Sequence, residues 1–422
     1  MPPRSTRRTP EAAPPSGTLK SFRHGTHRVV SPGETVERVR RLMPALGITR
    51  IANVTGLDTL GIPVVMVTRP NARSLAVSQG KGLTLDAARA SGLMESVEGY
   101  HAEHVSLPLK LATYNELRFR EAVVDVAGLP RLSVSLFHEN WRMLWVEGLD
   151  LARGSPVWLP FDLVHTDFTL PLPTGSGAFL MSSNGLASGN HVLEATLHGL
   201  CEVVERDATA LWHARGPRAQ APTRLDLDSV DDPACREALE KYARAGIAVG
   251  AWETTSDVGV PAFTCSIIDR EPEPLRPVAV AGGMGCHPSR EVALLRALTE
   301  AAQSRLTRIS GARDDLHRKA YEAARDGVAA ERLRTRLREE PVVRRFQDVP
   351  SQDGETLEED LAWVMGQLVA VGLSQVVAVD LTKPEVGVPV VRVVVPGLEP
   401  THEAPGYVPG PRARKALRER EE

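Results

Sequence analysis

The sequence is short of the residues that mark several common chemistries. Its 422 residues hold only four cysteines, Cys201, Cys235, Cys265 and Cys286, dispersed with no CxxC spacing. Such usage speaks against a disulfide scaffold or a zinc ribbon and fits a reduced, cytoplasmic setting. No apolar run approaches the ~20 residues of a membrane span, so no membrane partner is expected. Net charge is only −3, which gives no general nucleic-acid footprint. The basic, proline-rich start MPPRSTRRTPEAAPPSG lacks the apolar centre of a secretory signal. Catalytic signatures are missing as well. Gly80-Lys81 is followed by Gly82, and Leu75 stands where a P-loop's first glycine belongs. Neither a G-x-S-x-G elbow nor an H-E-x-x-H pair occurs.

What is present centres on Ser182 to Trp212, SSNGLASGNHVLEATLHGLCEVVERDATALW. A glycine-punctuated loop runs into a helix on which Glu194, Glu202 and Glu205 fall within an arc of roughly 80°. Leu197, Leu200, Val204 and Leu211 make an apolar stripe beside them, and Arg206 follows. Carboxylates clustered next to a buried face resist ionisation unless positive charge joins them, and Mg²⁺ with phosphate is one answer. Solvated glutamates on a wet helix face are the other.

Two more helices repeat the pattern. SQGKG (78–82) leads into residues 84–104, capped by Thr84, where Glu95 and Glu98 share a face with Ala87 and Ser91. Ser289 caps a third helix ending at Gly311, with Arg296, Glu300 and Gln303 in one stripe beside Ala293 and Ala297. The loops SQGKG and SSNGLASGN offer backbone N–H groups to phosphate. If the stripes converge, the carboxylates suit two or three Mg²⁺ ions and the arginines suit phosphate. Lys81 is placed equally well on phosphate or at the surface. His101, His104, His165 and His191 read as structural, and Cys201 as packing.

Around these helices, SPGETVERVRRLMPAL predicts a helix capped by Ser31 and Glu34. Strands are expected at 51–54 and 62–67, in short runs through 122–170 including LSVSLF, and near the C-terminus in SQVVAVDL and PVVRVVVPG. Residues 313–345 are expected to be helical and 271–277 a turn. No long linker divides the chain. The expected fold is α/β of the mixed α+β kind: a disordered tail at 1–18, one interlocked unit at 19–400 with mixed or antiparallel sheets, and a polar tail at 401–422.

The ordered set Ser91-x3-Glu95-x2-Glu98, Asn184, Glu194-x7-Glu202-x2-Glu205-Arg206 and Arg296-x3-Glu300 resembles the YcaO family. GTHR (25–28), TGLDTLGIPV, SQGKGLT and ISGARDD extend the likeness over residues 19–400. The resemblance implies a YcaO-type domain whose helices line a Mg-ATP cleft, and an enzyme that phosphorylates a peptide-backbone amide oxygen before a nucleophile attacks the carbon. Glu95, Glu98, Glu202, Glu205 and Glu300 are then the Mg²⁺ ligands. Asn184, Glu194, Arg206 and Arg296 hold ATP, with Arg28 and Thr35 near the nucleoside, and Glu202, Glu205 and Arg206 at the chemistry. The end APGYVPGPRARKALREREE lacks the PxPxP tail of azoline-forming members. SLAVSQGKGLTLDAARASGLMESVE is most similar to the TfuA-associated branch, which implies thioamide formation on a ribosomally made peptide, a TfuA-like partner bringing sulfur, and a homodimer. An azoline-forming cyclodehydratase or macroamidine-forming enzyme is the family alternative; a non-catalytic peptide-binding scaffold is the alternative outside it.

Overall fold

The computed structural model describes residues 17–271, 280–316, 318–323 and 326–421. All but two residues of the tail expected at 1–18, and all but the first of the turn expected at 271–277, lie outside these.

Among the described residues the fold is mixed α/β, built on three antiparallel sheets. β1 (Arg50–Asn53), β2 (Val64–Thr68) and β3 (Val77–Lys81) form a meander. β4 (Leu109–Ala112), β5 (Met143–Asp150), β6 (Ser155–Pro160) and β7 (Leu186–Ser188) begin a six-stranded sheet. A second meander is made by β8 (Ile247–Glu253), β9 (Ala262–Asp269) and β10 (Val280–Cys286). β11 (Val377–Asp380) and β12 (Val390–Val394) then return to complete the six-stranded sheet, ordered β4-β5-β11-β12-β7 with β6 also on β5.

The helices are α1 (Pro32–Arg40), α2 (Leu85–Glu103), α3 (Tyr114–Arg118), α4 (Val192–Gln220), α5 (Pro233–Arg244), α6 (Arg290–Ser310), α7 (Arg318–Ala323), α8 (Gly327–Glu339), α9 (Leu357–Ala370) and α10 (Pro411–Glu421). Their starts follow the sequence signals. Ser31 and Glu34 close a capping box, Thr84 accepts from the Ala87 N–H, and Ser289 accepts from the Val292 N–H. Gly311 ends α6 at φ 61°, a left-handed position that glycine occupies without strain. Among the described residues no helix is long and apolar enough to cross a membrane.

Each acid-bearing helix lies on its sheet at a glycine. A Cβ on Gly80 of β3 would fall 1.9 Å from the Ala88 carbonyl oxygen of α2. On β10, a Cβ at Gly283 would lie 2.4 Å from the Ala297 oxygen and one at Gly285 2.1 Å from that of Ala293, both on α6. On α4, Gly199 sits where a Cβ would lie 2.9 Å from the Gly185 oxygen. Backbone meets backbone at these points, and buried apolar residues such as Val64, Leu93, Leu200 and Leu298 fill the spaces beside them.

Several expectations are corrected. SQGK is the strand β3, because its backbone pairs with β2. LSVSLF forms no strand: Val134 and Leu136 are exposed and the stretch pairs with no neighbouring strand. The helical run expected at 313–345 holds two separate helices, α7 and α8, with α8 starting at the Asp326 cap. Beyond the Ser182 to Trp212 stretch, α4 continues to Gln220 across a kink at Gly216, before Pro217. Residues 411–421 of the polar tail form α10 on α4. There the Arg412 guanidinium donates to both carboxylate oxygens of Asp207 at 2.9 Å, and Glu399 accepts from the Gly410 and Ala413 N–H groups, each at 2.8 Å.

Gly80→Ala is expected to destabilise the chain by about 2–3 kcal/mol, since α2 must lift from β3 to admit the methyl group. Urea unfolding monitored by circular dichroism measures this.

Candidate functional site

α2, α4 and α6 turn their acidic stripes into one cleft. Glu95 and Glu98 come from α2, Glu202 and Glu205 from α4, and Glu300 from α6. The convergence shows in their electrostatics: Glu98 is acted on by Glu95 and Glu202, and Glu205 by Glu300. Burial pushes the Glu95 carboxyl up to about 7, with Arg313 and Lys81 opposing. Burial also raises Glu98 to about 8, against hydrogen bonds from Ser188. Glu202 and Glu205 are raised for the same chief reason. Glu300 is the exception: burial is outweighed by Lys81 and Arg206, and its carboxyl is held low.

Fixed donors orient these groups. Glu98 Oε1 accepts from the Ser188 N–H at 2.8 Å and its hydroxyl at 2.7 Å. Glu300 Oε1 accepts from the Met284 N–H at 3.1 Å, while its other oxygen pairs with the Lys81 ammonium. Arg206 places Nη2 3.6 Å from Glu205 Oε1. Beneath them Arg392 of β12 is fully buried, its guanidinium donating to the carbonyls of Val164, Ser182 and Asn184. Burial pushes it down to about 10, against the charges of Glu202 and Glu98.

One turn back along α4, a cavity opens between the N-terminal segment, α4 and α6. Arg28, Glu194, His198, Arg296 and His287 line it. Glu194 is already engaged, accepting from the Val29 N–H at 3.0 Å and the Asn190 N–H at 3.2 Å, with Arg28 Nε at 3.5 Å. Thr35 sits behind it, its hydroxyl 3.0 Å from Asn190 Nδ2. Arg296 Nη1 lies 3.2 Å from His198 Nε2. Burial, reinforced by Arg296, holds His198 well below its usual range, so it is the neutral acceptor of that bond.

The structure thus brings the five predicted carboxylates together with Arg206, and sets Arg28, Glu194 and Arg296 around the adjoining cavity. Two features differ from expectation. In the stretches before α2 and α4, residues 77–81 are strand, and the N–H groups of Ser188, Gly189 and Asn190 go to Glu98, Pro389 and Glu194. His198 and Arg392 were not anticipated as site residues. An arginine in the apolar run PVVRVVV was a legible signal for Arg392; His198 had none beyond standing four residues from both Glu194 and Glu202.

The oxygen-rich donor set suits a hard divalent cation. Three buried atoms among these residues lack a hydrogen-bond partner: Glu205 Oε2, Asn184 Oδ1 and Arg296 Nε. Unpartnered buried polar atoms among these residues fit a hard cation and the anion that accompanies it.

A carboxylate raised to about 7 or 8 must lose its proton to bind metal. Mg²⁺ binding is therefore expected to tighten from pH 6 to pH 9 and to release protons, read by calorimetry in buffers of different ionisation enthalpy. Without metal these two groups hold protons in the folded chain that the unfolded chain loses near pH 4.5. Their contribution to stability accordingly declines as pH rises from about 4.5 to about 8. If Arg296 holds the nucleotide, as the resemblance implies, replacing His198 with leucine is expected to weaken nucleotide binding about tenfold while leaving Mn²⁺ binding unchanged, because Arg296 loses its only side-chain hydrogen-bond partner among the described residues.

Known proteins resemble this chain in both sequence and fold. Residues 79–399 match the family described as YcaO cyclodehydratase, ATP- and Mg²⁺-binding. A protein of Rhizobium leguminosarum bv. trifolii, described as uncharacterized in the tfuA 3′ region, is 39% identical over 376 residues, covering 88% of each chain. An uncharacterized protein of Methanothermobacter thermautotrophicus is 35% identical over 382 residues, 88% of this chain and 95% of that one. Among solved structures, YcaO from Methanopyrus kandleri bound with AMPPCP and Mg²⁺ superposes with a TM-score of 0.70 at 26% identity, over 90% of this chain and 95% of that one. A heterocyclase in complex with substrate and cofactor shares the fold at a TM-score of 0.76 and 24% identity; this chain covers 55% of its length. With glutamates on three helices, orphaned polar atoms between them and a family match across 79–399, this chain belongs to the YcaO family.

Proposed function

We propose that this chain uses ATP to activate a backbone amide of a ribosomally made peptide or protein, and that the product is a thioamide. The carrying observation is the set Glu95, Glu98, Glu202, Glu205 and Glu300 facing one cleft beside Arg206, with Glu205 Oε2 unpartnered. In this reading those carboxylates hold Mg²⁺, which neutralises the charge of the transferring phosphoryl group. Asn184, Arg206 and Arg296 meet phosphate oxygens; Arg28, Glu194 and Thr35 shape the nucleoside side.

The amide oxygen attacks the γ-phosphorus and ADP leaves. Sulfide then adds to the activated carbon, and phosphate departs with the former amide oxygen. Arg206, held between Glu205 and the Met284 sulfur, is placed to stabilise the moving phosphoryl group. The buried walls from α4 and α6 restrict water, which would otherwise hydrolyse the activated amide. The relative in the tfuA 3′ region supports sulfur delivery by a TfuA-like partner.

ATP turnover with Mg²⁺ tests the reading, on the native chain and Glu202→Ala, with and without a TfuA-like protein. Turnover is expected to fall at least ~100-fold in the variant, and modified peptide to gain about 16 Da, oxygen replaced by sulfur. A loss of about 18 Da assigns cyclodehydration instead. No nucleotide binding under any condition leaves a peptide-binding scaffold.

A further inference from the structure

Lys81 stands apart from the other cations of the cleft. Its ammonium pairs with Glu300 Oε2, and its charge also acts on Glu95 and Glu205. The side chain is largely buried, at 16% exposure. Its backbone is closely packed on both sides. A Cβ on Gly80 would lie 1.9 Å from the Ala88 oxygen, and one on Gly82 2.5 Å from the Ala87 Cβ. The side chain is a flexible four-carbon stem carrying a compact point charge with three donors.

Its partner is fixed on one side only. Glu300 Oε1 is held by the Met284 N–H, leaving Oε2 to the ammonium alone among the described contacts. Nearby, Glu205 Oε2 is buried without a partner. Glu300 thus already carries an ammonium on Oε2, while Glu205, with Arg206 3.6 Å from its Oε1, keeps its other oxygen unpartnered. An ammonium and a divalent ion on the same Oε2 repel each other at that range, so each weakens the binding of the other.

Building on the metal role proposed for Glu300, we propose that Lys81 is a tethered counter-ion. It holds Glu300 in the metal-free protein, competes with the divalent cation for that oxygen, and on displacement pairs with the phosphates of the nucleotide. The cleft therefore folds without metal and exchanges one cation for another, and the ammonium released is delivered to the anion that arrives with the metal.

The experiment uses the full chain with Mn²⁺ alone, no nucleotide, followed by electron paramagnetic resonance. Lys81→Met is expected to bind Mn²⁺ about tenfold more tightly than the native chain, and then to bind ATP about tenfold more weakly at saturating Mn²⁺. Lys81→Arg is expected to restore ATP affinity toward native, and circular dichroism identifies any variant that fails to fold, with Lys81→Gln as its replacement. Mn²⁺ binding that is unchanged or weaker in the folded Lys81→Met chain overturns the proposal. Glu300→Gln separates the two readings. If it weakens Mn²⁺ binding while Lys81→Met does nothing, only the counter-ion fails. If Glu300→Gln leaves Mn²⁺ binding untouched, the metal role of Glu300 and the counter-ion fall together.

Discussion

The site depends on close approach between helix and strand. Gly80, Gly283 and Gly285 let backbone lie against backbone, where any Cβ would collide at 2.4 Å or less. That contact sets the depth of α2 and α6 on their sheets, and Gly199 does the same for α4 against Gly185. Glu300 and Arg296 lie directly over Gly283 and Gly285, where a Cβ would come 2.7 and 2.8 Å from their own Cβ atoms. The missing side chains leave room for their long polar ones to extend into the cleft. Acidic stripes that would otherwise face water on three surfaces thereby face one another.

Such an arrangement is electrostatically costly until something positive fills it. Four of the five carboxylates are raised by burial, and only Glu300, with Lys81 against it, is held low. Two things offset that cost within the chain: the acids keep protons, and the lysine and arginines supply charge. A cleft left short of positive charge is one prepared for a divalent ion and the phosphates that travel with it. The same account explains why Arg392, buried beneath, stays despite its desolvation: it ties the 182–184 loop through three carbonyls while facing Glu202 and Glu98.

The C-terminal segment adds support from outside the cleft. Asp207, next to Arg206 on α4, is gripped by both donor arms of Arg412. Glu399 accepts from the first N–H groups of α10 and from the Tyr407 hydroxyl. The helix at the end of the described residues is thus tied to α4 through the carboxylate next to Arg206.

How much of this was legible follows from what spacing can encode. The intervals Glu95-x2-Glu98, Glu202-x2-Glu205 and Arg296-x3-Glu300 fix which side chains share a helix face, and Ser31, Thr84, Ser289 and Gly311 fix where helices begin and end. Those are local properties, set by 3.6 residues per turn and by unpaired terminal N–H and C=O groups. Where a face points is not local. SQGKG read as a phosphate loop because glycine permits turns; partner strand β2 made it strand, with Gly80 used for packing. The free N–H groups expected before α4 were claimed by Glu98 and Glu194, 90 and 4 residues away. His198 gained its role only when α6 brought Arg296 to it, and the raised acids exist only through burial. Sequence by itself determined the helix faces, their caps and the kind of ligand they suit; the tertiary structure decided which faces meet and how strongly they hold their protons, because desolvation and contact arise only between segments distant in the chain.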